Sequence, residues 1–283
     1  MSVVEHTTPS GELRGPSAVG GDVQRFASLA WTLAVTDFRL KFFGSVLGYL
    51  WQLMRPLLLF GVIYVVFAEF VELGDDVRFY PVVLLTGIIL FTYFAETTGA
   101  AVTSVMDRES LLRKVRFPRL VIPASVALTA MLNFGLNVVV ILIFALVSGV
   151  EPTWSWLQAP LLLAALVFYA FGFAMLLSAL YVRYRDVKPI WDVVLQVTFY
   201  GTPLLYPIEV VKYEWARELI MMNPLAVIVQ QFRHAVLDPT VPGAAGIVDG
   251  YVPLLIPLAI TVGIFALGLR TFLRQAPRIA EDL

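Results

Sequence analysis

Few side chains in this chain of 283 residues are equipped for covalent or proton chemistry. There is no cysteine, which excludes disulfides, thiolate metal sites and cysteine nucleophiles. The two histidines, His6 and His234, are too few for a His-based metal site, and each reads as a solvated residue. No Gly-Lys pair occurs, so the glycine-rich loop that cradles a nucleotide's phosphates is missing and the chain cannot hydrolyse ATP by itself. A serine elbow with a partner histidine is missing as well. The carboxylates within apolar sequence are Glu69, Glu96 and Asp192, all toward the ends of their runs, a poor basis for an ion-driven pump. The acidic pair Asp75-Asp76 lies in a loop too short for a sugar-nucleotide pocket, which argues against a glycosyltransferase. No catalytic, metal-binding or cofactor-binding residue is expected.

The elements that must position what remains are set by composition. Hydrophobic residues make up 59% and charged residues 14%, against about 45–50% and roughly 25% in soluble domains, so there is too little polar surface for a water-facing globule. The expected fold is an all-α integral membrane protein. A net charge of −1 argues against a nucleic-acid partner.

Residues 1–22 are polar and rich in Gly, Pro, Ser and Thr, and read as a disordered tail ahead of one membrane domain over 23–283. From 25 to 43 apolar residues recur at helical spacing beside Asp37, Arg39 and Lys41; this fits a helix on the membrane surface or one running on into the first span. Six spans are predicted, near 47–71, 79–105, 120–150, 156–182, 193–208 and 250–269. In the first, Arg55 can snorkel and Pro56 is tolerated near a helix start. The fifth is short and broken by Gly201, Pro203 and Pro207, so it crosses only if the helix bends or the chain turns back. The stretch 209–237 is too short to span and is predicted to form re-entrant or interfacial helices. Sixteen of the 20 Lys and Arg residues fall on one side of this arrangement, which puts both termini in the cytoplasm.

Between the second and third spans, residues 104–117 read as a short helix. Ser104 can cap it, Asp107 stands in its first turn, Leu111, Leu112 and Val115 form an apolar strip, and Pro118 stops it. Its basic rim suits a groove in a soluble partner, although a basic loop of this kind often only sets topology.

These residues belong to an ordered series of motifs: Asp37-Phe-Arg-Leu-Lys41, GSVLGYLWQLMRPL over 44–57, LLRKVRFPRLVIP over 111–123, YRDV over 184–187, PLLYP over 203–207, NPL over 223–225 with Arg233 shortly after, and APRIAEDL over 276–283. Each is weak alone. In this order they resemble the permease subunit of bacterial ABC exporters for polysaccharides, the group serving O-antigen, teichoic acid and cell-wall glycans. The resemblance implies a homodimer of six-span subunits paired with two copies of a soluble ATPase that carries the ATP and Mg, in the inner membrane. It implies a coupling helix over 104–117, with Asp107, Arg108, Glu109, Leu111, Leu112, Arg113, Lys114 and Arg116 toward that ATPase. An interface helix would lie over 25–43 and outer gate helices over 209–237. The implied cargo is a lipid-linked polysaccharide; a drug or small lipid moved by the same architecture is the alternative.

A glycan has apolar C–H faces that slide over flat rings. Phe91, Tyr93, Phe94, Phe199, Tyr200 and Tyr206 are the candidates for that path, although each alone also fits a lipid-facing or interfacial ring. Arg39, Lys41, Arg55, Glu96 and Arg233 are candidates for the pore mouth or interface. Glu96 faces the pore, pairs with an arginine such as Arg55, or snorkels toward water. Arg185 and Asp186 are expected to form a local ion pair or to contact the ATPase directly, Asn223-Pro224 to start a helix, and Arg233 to be a surface charge or a contact for a carrier's phosphate.

Overall fold

A computed structural model of the chain describes residues 23–42, 48–71, 77–110 and 118–275. The expected tail over 1–22 and the closing motif over 276–283 lie outside them. Every regular element among the described residues is helical, because lipid offers no partner for backbone N–H and C=O groups and each helix must satisfy its own. The order is α1 (Val23–Phe42), α2 (Gly48–Tyr64), α3 (Tyr80–Asp107), α4 (Val121–Val147), α5 (Ala159–Arg183), α6 (Val187–Gly201), α7 (Glu214–Met221), α8 (Pro224–Phe232), α9 (Ala244–Ile247) and α10 (Leu255–Gln275). A π-helical turn, Val65–Phe70, extends α2, and another, Arg233–Leu237, follows α8.

Among the described residues, five stretches are long and apolar enough to cross a membrane: Leu50–Ala68, Tyr80–Asp107, Val121–Val147, Trp154–Arg183 and Leu255–Gln275. The fifth apolar run of the sequence does not add a sixth of that kind. The 15 residues of α6 reach about 22 Å, short of a hydrocarbon core of about 30 Å. Its helix ends where Thr202 turns to an extended conformation, beside Gly201 and Pro203.

Helix α3 is the centre of the bundle. Of its most apolar window 72% is buried, against 6% for the α2 stretch and 17% for α10, whose Leu58, Val62, Leu258 and Val262 face outward. Helices α4 and α5 pack on α3, with α2 and α6 alongside, and α10 lies along α5. The α5–α10 contact rests on Gly172 and Gly268: a Cβ on Gly268 would stand 2.3 Å from the Gly172 carbonyl oxygen, so only hydrogen fits between the backbones.

Helix α1 runs along α4, burying Ala30 against Val121 and Ala124, and Ala34 is buried too. Further on, α8 is no surface helix: Leu225, Ala226, Ile228, Val229 and Phe232 are buried, and it packs on α5, α10 and α3. Asn223 caps it as the Asn-Pro dipeptide predicts, its Oδ1 accepting from the Leu225 N–H at 3.0 Å.

Two local readings need correction. Helix α3 continues through Ser104 to Asp107, and the Ser104 hydroxyl is buried and donates to the Ala101 carbonyl at 2.8 Å, so it caps nothing. The turn comes at Arg108 instead. Pro56 lies two turns inside α2 rather than near its start, where it has no N–H to offer the Gln52 carbonyl.

Candidate functional site

A cavity of about 700 Å³ opens between the end of α1 and helices α2, α3, α4 and α6. Phe91 on α3 meets Phe199 on α6 edge to face at 4.9 Å, and Phe199 meets Tyr200 in the same way at 5.2 Å. These three rings line the cavity together with Pro56, Leu59 and Leu195. The aromatic surface exists because α3 and α6 run antiparallel at close range. The Trp191 indole N–H donates to the Thr98 hydroxyl at 3.1 Å, and the Tyr80 hydroxyl donates to the Leu205 carbonyl at 2.9 Å. Between these ties Gly87 lets the 204–205 backbone lie against α3: a Cβ there would stand 2.8 Å from the Leu204 oxygen.

The polar part of the wall is built around Glu96. Its carboxylate pairs with the Lys41 ammonium at the end of α1, and it accepts from Asn133 Nδ2 at 2.9 Å and Gln52 Nε2 at 3.4 Å. A carboxylate held at this depth needs such donors, because an unpaired charge in a low-dielectric setting is costly. The partner is Lys41, not Arg55. Arg55 lines the cavity, is exposed, and makes no ion pair among the described residues. Asp192, also in the wall, pairs with Lys188 one turn earlier. With Lys41 and Arg55 against Glu96 and Asp192, the wall carries balanced charge, and Asn137 and Gln196 add neutral amides. Such a surface offers hydrogen bonds and flat apolar faces without a net ionic grip.

The other candidate rings stand elsewhere. Tyr93 is buried in the helix packing, stacked on Phe134 at 4.5 Å, and Phe94 is buried between Tyr169 at 5.4 Å and Phe173 at 5.7 Å. Tyr206 is half-buried against the core, outside the cavity wall. Arg39 is exposed on α1, outside the wall too.

Arg233 is not a surface charge. It is 6% exposed, and its Nη1 donates to Glu209 Oε2 at 2.9 Å, tying the π-turn after α8 to the short turn Ile208–Val210. His234 beside it hydrogen-bonds through Nδ1 with the Val241 carbonyl at 2.8 Å. Arg185 forms no ion pair with Asp186; its guanidinium lies over the Tyr181 ring at 5.3 Å.

Of the candidate coupling residues, Asp107 is exposed and accepts from the Thr103 hydroxyl at 2.7 Å. Arg108 is half-buried, donating from Nη1 to Ser125 Oγ at 2.6 Å and from Nη2 to Asp37. Glu109 is half-buried beside it. Leu111, Leu112, Arg113, Lys114 and Arg116 lie outside the described residues.

Sequence reasoning missed the amides. Asn133 and Asn137 stand four residues apart in a span with no charge, a polar pair on one helix face that the spacing alone exposes. Gln52 and Gln196 carried no comparable signal. Among the described residues no three His, Cys, Asp or Glu side chains cluster as a metal site would require.

Among the described residues, five long apolar helices together with a charge-balanced cavity between α1, α2, α3, α4 and α6 suit a membrane transport component. Residues 28–237 match the ABC-2 type transporter family, and the chain belongs to that family. It is a permease component of an ABC transporter and a multi-pass protein of the inner membrane. It is 26% identical over 263 residues to the O-antigen export system permease protein RfbA of Myxococcus xanthus, covering 93% of this chain and 98% of that one. Two Klebsiella pneumoniae proteins carrying the same description are 30% identical over 207 residues (72% and 78% of the two chains) and 29% identical over 205 residues (71% and 77%).

Proposed function

We propose that the chain is the membrane-embedded half of an ATP-driven exporter that moves a lipid-linked polysaccharide from the cytoplasm to the outer side of the inner membrane. The observation that carries the reading is the cavity: three touching rings, three amides and four charges in balance suit a polyhydroxylated chain with apolar faces better than an ion or a purely apolar lipid. The relatives that cover most of this chain carry O-antigen export in their descriptions, which points the same way.

In this reading two copies meet and join their cavities into one conduit, and each binds a soluble ATPase that holds the ATP and Mg. The connection after α3 seats in that ATPase through Asp107, Glu109 and the residues beyond them, with Arg108 turned inward, and α1 is the interface helix on the cytoplasmic leaflet. Both termini are cytoplasmic. A sixth crossing is made by α6 with the 202–205 segment, a view supported by ties to α3 from Thr98 up to Tyr80. The short helices α7 and α8 form the outer gate, braced by Arg233 and Glu209.

Co-expression with a soluble ATPase followed by affinity purification tests the partnership. Membrane vesicles carrying the complex then separate the cargoes: protection of lipid-linked glycan inside inverted vesicles, dependent on ATP, supports the reading. Transport of small amphiphiles with no glycan movement would favour a drug or small-lipid exporter instead.

A further inference from the structure

We propose that Arg108 is a positioning residue that clamps the α3–α4 connection to helix α1, so that any displacement of the connection reaches α1 together with the two spans. The inference rests on the proposed drive by an ATPase docked at that connection.

Arg108 is the first residue beyond α3, Ser125 lies at the end of the first turn of α4, and Asp37 is on α1. One guanidinium joins all three: Nη1 donates to Ser125 Oγ at 2.6 Å and Nη2 donates to Asp37 Oδ2. The end of α3 and the first turn of α4, which flank the connection, are therefore joined to each other and to α1 by a single side chain. A planar guanidinium suits this role, since its donors project in a fixed fork and can hold two acceptors on different elements at set angles.

A cation in a cytoplasmic connection normally stays in water, where it sets topology and no more. Arg108 does otherwise: its side chain is 19% exposed and its charge is directed into the protein. Asp107 next to it bonds within its own helix, to Thr103, and contributes nothing to α1 or α4.

Elsewhere α1 is held on α4 by apolar packing of Phe26, Ala30 and Leu33 with Val121, Ala124 and Leu128 and by the Thr129 hydroxyl, which donates to the Ala34 carbonyl at 3.2 Å, and on α3 by the Lys41–Glu96 ion pair. None of these contacts involves a residue of the α3–α4 connection. The Arg108 clamp adds a directional tie at the connection itself. A push on the connection is thereby shared between α3, α4 and α1, and an amphipathic helix at the membrane surface moves with the spans instead of being left behind.

The absence of cysteine makes a direct test available. Ala34→Cys places one thiol at a site that is 0% exposed beneath α4. Its labelling by a water-soluble maleimide is followed in the full chain in membranes, alone and with the ATPase bound, and ATP turnover of the complex is measured in parallel. Asp37→Asn and Arg108→Gln are each expected to raise the labelling rate, and to lower ATP turnover per bound ATPase, by about tenfold, a typical coupling between sites. ATPase co-purification should stay unchanged, since the outer surface of the connection is untouched. Ser125→Ala, which removes one acceptor and spares the ion pair, should give a smaller effect in the same direction. Combining Asp37→Arg with Arg108→Asp should restore both readouts, which a generally damaged fold would not do. Unchanged labelling in both single variants, or a reversed pair that restores neither readout, overturns the clamp. If no ATPase is retained even by the unaltered chain, the exporter reading falls, and the labelling arm still decides whether Arg108 holds α1.

Discussion

Glu96 is the side chain on which the polar wall depends, because three donors from three other helices converge on it: Lys41 from α1, Gln52 from α2 and Asn133 from α4. Asn133 is 0% exposed, so removing its acceptor strands a buried N–H donor. Glu96→Ala is therefore expected to lower stability by about 1–3 kcal/mol. Lys41 is 43% exposed, so Lys41→Ala should cost under about 1 kcal/mol, as exposed partners of ion pairs do. Thermal unfolding of the two variants in detergent gives the order; a Lys41 variant as damaged as the Glu96 variant would contradict the convergence. Arg55 supplies the complementary case. It lines the cavity with no ion pair among the described residues, so Arg55→Ala should leave the melting temperature unchanged while altering the rate of glycan movement. A variant unchanged in both respects would remove Arg55 from the path.

Among the elements, the α5–α10 pair makes the sharpest prediction. At Gly268 an added methyl meets the Gly172 carbonyl, whereas at Gly263 on the same helix it meets nothing within 4 Å. Gly268→Ala should therefore cost about 1–3 kcal/mol, as overpacking does, while Gly263→Ala should cost nothing and stabilise by up to about 1 kcal/mol through helix propensity. Equal melting temperatures for the two would mean that the helices are not in backbone contact.

The long helices were legible in sequence because their apolar runs have the length a bilayer demands, and the Asn223-Pro224 start was legible because a cap is a local matter. The errors have the opposite character. Ser104 carries a capping pattern, yet packing against the neighbouring spans keeps α3 helical beyond it, and tertiary contacts override a local signal. Arg233 read as a surface charge because Glu209, its partner, is 24 residues away and meets it only once α8 has folded into the bundle. For Glu96 the sequence suggests an arginine partner such as Arg55, while Lys41 reaches it because α1 lies along α4, a packing that no single-helix pattern encodes. The ring candidates divide for the same reason. Phe91 and Phe199 meet across two helices, whereas Tyr93 and Phe94, on the same helix as Phe91, turn into the core.

At the scale of the molecule, this chain is a bundle centred on α3, with apolar outer faces on α2 and α10, and a cavity between α1, α2, α3, α4 and α6 whose charges cancel. Its sequence has no Gly-Lys pair, and in our reading the energy for directional movement comes from a separate ATPase through the connection that begins at Arg108. Deleting 111–117 should then abolish ATPase retention while leaving the chain in the membrane, as measured by pull-down from solubilised membranes; retention at the unaltered level would place the docking surface elsewhere. The most direct test of the central claim is transport in inverted vesicles loaded with lipid-linked glycan on their outer face, with and without the ATPase subunit. We predict that glycan becomes protected inside only when the chain, the ATPase and hydrolysable ATP are all present. Protection by the chain alone, or none with all three present, would contradict it.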